Sequence, residues 1–204
     1  MLKRWKFRIR RDESPNIEHI PDSLIIINFY ITQLIILIAA LVLIGFGQKI
    51  NPFQMLADFP WDRSVWLWGG GFALAALALN GLIVRFGPQI DDGGVNKKLF
   101  RRRPLLHIVV ICGVVAFCEE MLFRGAVQPW LGNVWTSFIF TVIHVRYLRH
   151  WLPAVTVFLV SFGLGYIYEQ TGTLWTPIFA HFLIDFVLGC VLKWKGDLHG
   201  RPAA

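Results

Sequence analysis

The sequence predicts an all-α polytopic membrane protein: a transmembrane bundle of about six spanning helices with both termini cytoplasmic. Three observations predict it. Of 204 residues, 55% are hydrophobic and only 16% charged, giving a mean hydropathy of +0.54. The apolar residues gather in long uninterrupted stretches, and a bilayer core about 30 Å thick is crossed by roughly 20 such residues in helical form. The basic residues lie between those stretches in an asymmetric pattern. Backbone amides in lipid must be satisfied inside the spanning structure, so helices or a closed barrel are the choices. Period-two alternation is missing, which excludes the barrel.

The stretches fall at 24–45, 66–84, 105–123, 130–143, 152–168 and 175–192. The first follows a basic run, as a signal peptide would, but it is long and has no small-residue cleavage site after it. It reads as a retained helix. The fourth is short, so it is tilted or partly re-entrant. Cys112, Cys118 and Cys190 all fall within the stretches and read as single buried thiols, with neither a disulfide framework nor a CxxC pair.

Charge sets the expected orientation. Lys3, Arg4, Lys6, Arg8, Arg10 and Arg11 precede the first stretch. Arg85, Lys97, Lys98, Arg101, Arg102 and Arg103 separate the second from the third. Arg146 and Arg149 follow the fourth, and Lys193, Lys195 and Arg201 close the chain, whereas the alternate loops carry little beyond Lys49 and Arg63. Positive charge marks the cytoplasmic side. The net charge of +7 is therefore topological, with anionic-lipid contact at the clusters, and no nucleic-acid-binding motif accompanies it. The expected organisation is a basic cytoplasmic leader at 1–21 and one transmembrane domain at 22–204. Residues 51–63 read as an interfacial loop and 89–96 as a flexible linker. No internal repeat supports an inverted-repeat transporter. Gly69, Gly70, Gly71, Gly163 and Gly165 either permit close helix packing or are merely tolerated in lipid.

Ionisable groups inside a bilayer cost about 2.5–3.5 kcal/mol each on insertion scales and by default mark function. Glu119 and Glu120 occupy the third stretch with Arg124 at its end, His144 closes the fourth, and His181 and Asp185 occupy the sixth. Glu120 and Arg124 are four apart, so they can pair as a structural ion pair. Glu119 is rotated about 100° from Glu120 and faces elsewhere. His181 and Asp185 share a face. A lone helical histidine is more often a satisfied core residue, but two with unpaired carboxylates point to a site. A carboxylate out of bulk water is an effective general base. Glu119 can take a proton from a water held by His144, with His181 and Asp185 near the developing oxyanion. Two imidazoles and a carboxylate would also suit zinc, although no HExxH is present.

These residues carry a resemblance. Glu119-Glu120-Met-Leu-Phe-Arg124 fits EExxxR, Phe140-Thr-Val-Ile-His144 fits FxxxH, and His181-Phe-Leu-Ile-Asp185 fits HxxxN/D. Three motifs in order, with the flanks FRGAVQPWL and GYIYEQTGTLWTPIFAH, make 105–192 resemble the core of the CAAX-protease/bacteriocin-processing (CPBP, Abi) family of intramembrane proteases. The resemblance implies a multi-pass cell-membrane endopeptidase acting on a membrane-associated protein or peptide. It implies Glu119 and His144 as water activators and His181 and Asp185 as oxyanion stabilisers, with Glu120, Arg124 and Phe140 in support. The family's chemistry is described both as metal-free and as metal-dependent, so the cofactor is none or a divalent metal such as zinc. If a metal is held, Glu119, His144, His181 and Asp185 are the candidate ligands. Two other readings stand beside it: a non-catalytic immunity or regulatory protein on the same scaffold, and an ion or small-molecule carrier. The CAAX enzymes place Asn where this chain has Asp185, so Asp185 is protonated, orients His181 or ligates a metal. Activity retained in Asp185→Asn, measured on correctly inserted protein, is expected of a donor or orienter; abolished activity indicates a charged role such as metal ligation.

Overall fold

The computed structural model describes residues 19–48, 51, 54–57, 59, 62–86 and 94–199. Most of the expected leader, part of the interfacial loop and most of the linker lie outside them. Among the described residues there is no strand. Helix α1 (Asp22–Val42) continues as a π-helical turn, Leu43–Gln48, and a four-residue helix, α2 (Gln54–Ala57), precedes α3 (Arg63–Phe86). The short α4 (Val95–Phe100) leads to α5 (Leu105–Glu120), which runs through a π-helical segment, Met121–Val127, into α6 (Gln128–Ile143). Helices α7 (Trp151–Thr171) and α8 (Trp175–His199) complete the bundle.

Among the described residues five runs are long and apolar enough to cross a membrane: Asp22–Gly47, Val65–Phe86, Leu105–Ile143, Trp151–Thr171 and Trp175–Trp194. The third and fourth expected stretches fall within one of them, a run of 39 residues. That run is not straight. In an uninterrupted helix Phe123 and Phe140 would stand about 25 Å apart, yet their ring centroids are 4.8 Å apart. The reversal is at Gly132, whose φ of 72° and ψ of 169° break the helix inside α6. A left-handed φ is open to glycine and costly for other residues. The arm after Gly132, residues 133–143, rises about 16 Å, roughly half the hydrocarbon core. It therefore folds back beside the end of α5 without the length of a full span.

The short α7–α8 connection is set locally. Gly172 ends α7 in the left-handed conformation at φ 65°, and the Thr173 hydroxyl accepts the Trp175 amide at 3.3 Å. Helix α8 packs against α3, α4, α5 and α7, which makes it the central helix of the bundle. Large apolar side chains such as Leu34, Leu67, Leu106 and Trp151 face outward, while Glu119, Glu120, Arg124, Gln128, Ser137, Ser161 and His181 are buried. This inverted distribution suits a lipid surround. Cys112 and Cys118 are buried and Cys190 half-buried, all as free thiols.

The glycines divide as their neighbours dictate. A Cβ at Gly69 would meet Phe179 at 3.0 Å and the Thr176 carbonyl at 3.1 Å, whereas Gly70 and Gly71 face open space. At Gly163 a Cβ would collide with the Phe72 ring, and at Gly165 with the side chains of Asn133 and Gln128. Close packing is thus real at Gly69, Gly163 and Gly165. Gly165→Ala should lower stability by about 1–3 kcal/mol through overpacking, whereas Gly70→Ala should leave it unchanged or raised. Thermal denaturation of the two purified variants in the same detergent checks this.

Candidate active site

Helix α5 ends on two adjacent carboxylates with different surroundings. Glu120 is fully buried. Its Oε1 accepts a bond from Arg124 Nη1 at 3.1 Å and lies 2.7 Å from His181 Nδ1. Arg124, also fully buried, turns Nη2 to α7, where it donates to the Ser161 carbonyl at 2.6 Å and to the Ser161 hydroxyl at 2.9 Å. The guanidinium carbon lies 5.4 Å from the Phe140 ring centroid, within cation–π range. Arg124 sits in the π-helical segment Met121–Val127. Such wide turns recur at functional sites because they redirect side chains away from the α-helical register.

His181 is held from both sides. Its Nε2 lies 3.5 Å from Asp185 Oδ2, while Nδ1 faces Glu120. Carboxylate oxygens accept, so bonding both requires two ring protons, or one ring proton with the other nitrogen accepting from a protonated carboxyl group. Asp185 is the more open partner, its side chain 33% exposed. His144 is oriented separately. Its Nδ1 lies 2.7 Å from the Phe140 carbonyl, and a carbonyl can only accept, so Nδ1 carries the proton. In the neutral ring Nε2 is then left as an acceptor. Phe140 stands between the two imidazoles: its ring stacks on His144 at 4.4 Å and meets His181 edge-on at 6.5 Å.

Glu119 is buried at 8% exposure and makes no hydrogen bond or ion pair among the described residues. It lies within electrostatic reach of His181, Asp185, Glu120 and Arg124, and His144 lies within reach of His181 and Asp185. All seven residues singled out by the motifs thus gather where α5, α6 and α8 converge. The expected Glu120–Arg124 pair forms, and Glu119 makes no bond to it. Among the described residues no three His, Cys, Asp or Glu side chains are placed to hold a metal ion, and the two nitrogens of His181 each face a carboxylate. An apolar cavity of about 230 Å³ between α3, α5 and α8 is lined by residues including Trp66, Gly113, Trp175 and Phe182, and holds no site carboxylate or imidazole.

Three polar residues of the cluster lie outside the motifs. Ser161 receives Arg124. Gln128 donates to the Gly165 carbonyl at 3.1 Å and to Glu169 Oε1 at 2.8 Å. Arg124 and Gln128, four residues apart, face Ser161, Gly165 and Glu169, which recur at the same interval on α7. That shared spacing was the available signal.

A family model described as "Type II CAAX prenyl endopeptidase Rce1-like" matches residues 101–187, which contain all three motifs. The uncharacterized protein YpbD of Bacillus subtilis (strain 168) is 39% identical over 147 residues, covering 70% of this chain and 77% of the relative. The chain belongs to the Rce1-like family. No solved structure matches it. Membership of this membrane family and the five apolar runs make it a multi-pass membrane protein. The Rce1-like match includes Ser161, Gln128 and Glu169 and leaves α1 and α3 outside it.

The buried ion pair carries a stability prediction. Removing one partner of such a pair leaves an uncompensated charge and costs about 3–5 kcal/mol. Arg124→Met should therefore destabilise the Rce1-like core strongly, and Glu120→Gln combined with Arg124→Met should restore part of the loss. Denaturation midpoints of the single and double variants measure the coupling directly.

Proposed function

We propose that the protein is an intramembrane endopeptidase that hydrolyses a peptide bond of a membrane-associated protein or peptide, with water activated by Glu119 and His144. The observation that carries this reading is the division between adjacent carboxylates. Glu120 is bound to Arg124 and His181, whereas Glu119, buried beside it, has no protein partner among the described residues. A carboxylate kept out of water and left unpaired is available for proton transfer.

In this reading His144 Nε2 accepts a hydrogen bond from a water and Glu119 removes the water's other proton. The oxygen attacks the carbonyl carbon, and the resulting oxyanion lies toward the His181 ring, whose long 3.5 Å contact with Asp185 leaves Nε2–H free to be shared. Collapse breaks the C–N bond, and the proton held by Glu119 passes to the leaving amine. Asp185 then serves to orient His181. Glu120 and Arg124 hold the other edge of that ring and touch no substrate. No step uses a metal.

Glu119→Gln should abolish cleavage and leave the fold intact, because no hydrogen bond or ion pair among the described residues is lost. Mass spectrometry of membrane-protein termini in cells carrying wild type or Glu119→Gln at matched levels tests this. Termini near membrane segments that appear only with wild type support the protease. Identical termini, with a cellular phenotype that still follows the protein, favour a non-catalytic role.

A further inference from the structure

We propose that Ser161, on a helix that carries none of the three motifs, is a positioning residue for the active site, acting through Arg124. The inference rests on the proposed protease for its catalytic meaning, and on the hydrogen bonds alone for its geometry. Ser161 is fully buried and contributes two acceptors, its carbonyl at 2.6 Å and its hydroxyl at 2.9 Å, both to Arg124 Nη2. The other terminal nitrogen of the same rigid guanidinium holds Glu120 Oε1, and that oxygen also faces His181 Nδ1. The chain of contacts runs from Ser161 through Arg124 and Glu120 to His181, and on to Asp185.

The need for such a residue follows from the backbone. Arg124 lies within a π-helical segment, where the widened turn loosens the α-helical spacing that would otherwise fix it opposite Glu120. A planar guanidinium bound at one nitrogen can still swing about that bond. Two acceptors on the second nitrogen stop the swing. The neighbouring contacts keep α7 in register for this. Gln128 bonds the Gly165 carbonyl and Glu169, and Gly165 admits no side chain against Asn133 and Gln128. Ser161 is thereby delivered to Arg124 at a fixed height. A serine kept only for its small volume would be replaced by alanine without effect on His181.

The test uses the full-length chain, labelled with ¹⁵N-histidine in detergent micelles, as wild type, Ser161→Ala and Ser161→Thr. The His181 ring resonances, assigned with His181→Gln, should shift in Ser161→Ala and return toward wild type in Ser161→Thr. Those of His107 and His150 should stay in place. In the termini assay, Ser161→Ala should lower the rate of Glu119-dependent cleavage about tenfold, the loss of one hydrogen bond to a charged group. Unmoved His181 resonances in Ser161→Ala, or an unchanged cleavage rate, would overturn the proposal. If wild type yields no Glu119-dependent termini, the protease reading fails and the resonances alone decide whether Ser161 positions His181.

Discussion

The bond between Glu120 and Arg124 organises the bundle. Neither side chain has any exposed surface, and each would be expensive in lipid alone. Paired at 3.1 Å and four residues apart, they offset each other's charge, but a carboxylate and a guanidinium have more bonding capacity than one contact uses. The surplus recruits the other helices. Glu120 draws in His181 from α8, Arg124 draws in Ser161 from α7, and the guanidinium face meets Phe140 on the returning arm of α6. Three helices are thus tied to the end of α5 by one buried pair. Apolar packing cannot supply such specificity when the surrounding lipid is as apolar as the side chains.

The same arrangement separates two chemically identical side chains. One residue along a helix is a rotation of about 100°. Glu120 points into the ion-pair network, and Glu119 does not. The network holds His181 from its Nδ1 side, leaving Asp185 on the other edge, while Phe140 spaces His181 from His144. The result is one carboxylate committed to structure beside one free of protein bonds. Their roles follow from position, not from residue type.

Much of this was legible in the sequence where cost and spacing speak. Ionisable residues on apolar helices announce themselves by their insertion cost, and the four-residue spacings of Glu120 with Arg124 and of His181 with Asp185 anticipate the contacts found. What stayed hidden depends on neighbours. Ser161 is an unremarked hydroxyl in an apolar helix until Arg124 is placed opposite it. Gln128 and Glu169 lie just outside different apolar stretches, and only the return of the chain beside α7 joins them. Gly132 looks like any glycine tolerated in lipid, yet its left-handed φ breaks the helix and turns the chain back beside α5. Gly163 and Gly70 are equally bare in sequence, and only the ring of Phe72 distinguishes them.

The central claim, that adjacent carboxylates are divided between structure and chemistry, is tested most directly by covalent labelling with a membrane-permeant hydrophobic carbodiimide. Such a reagent modifies carboxyl groups that are reachable within the bilayer and not locked in an ion pair. Peptide mapping of the labelled wild-type protein should place the adduct on Glu119 and leave Glu120 unmodified. An adduct on Glu120, or equal labelling of both residues, would contradict the account.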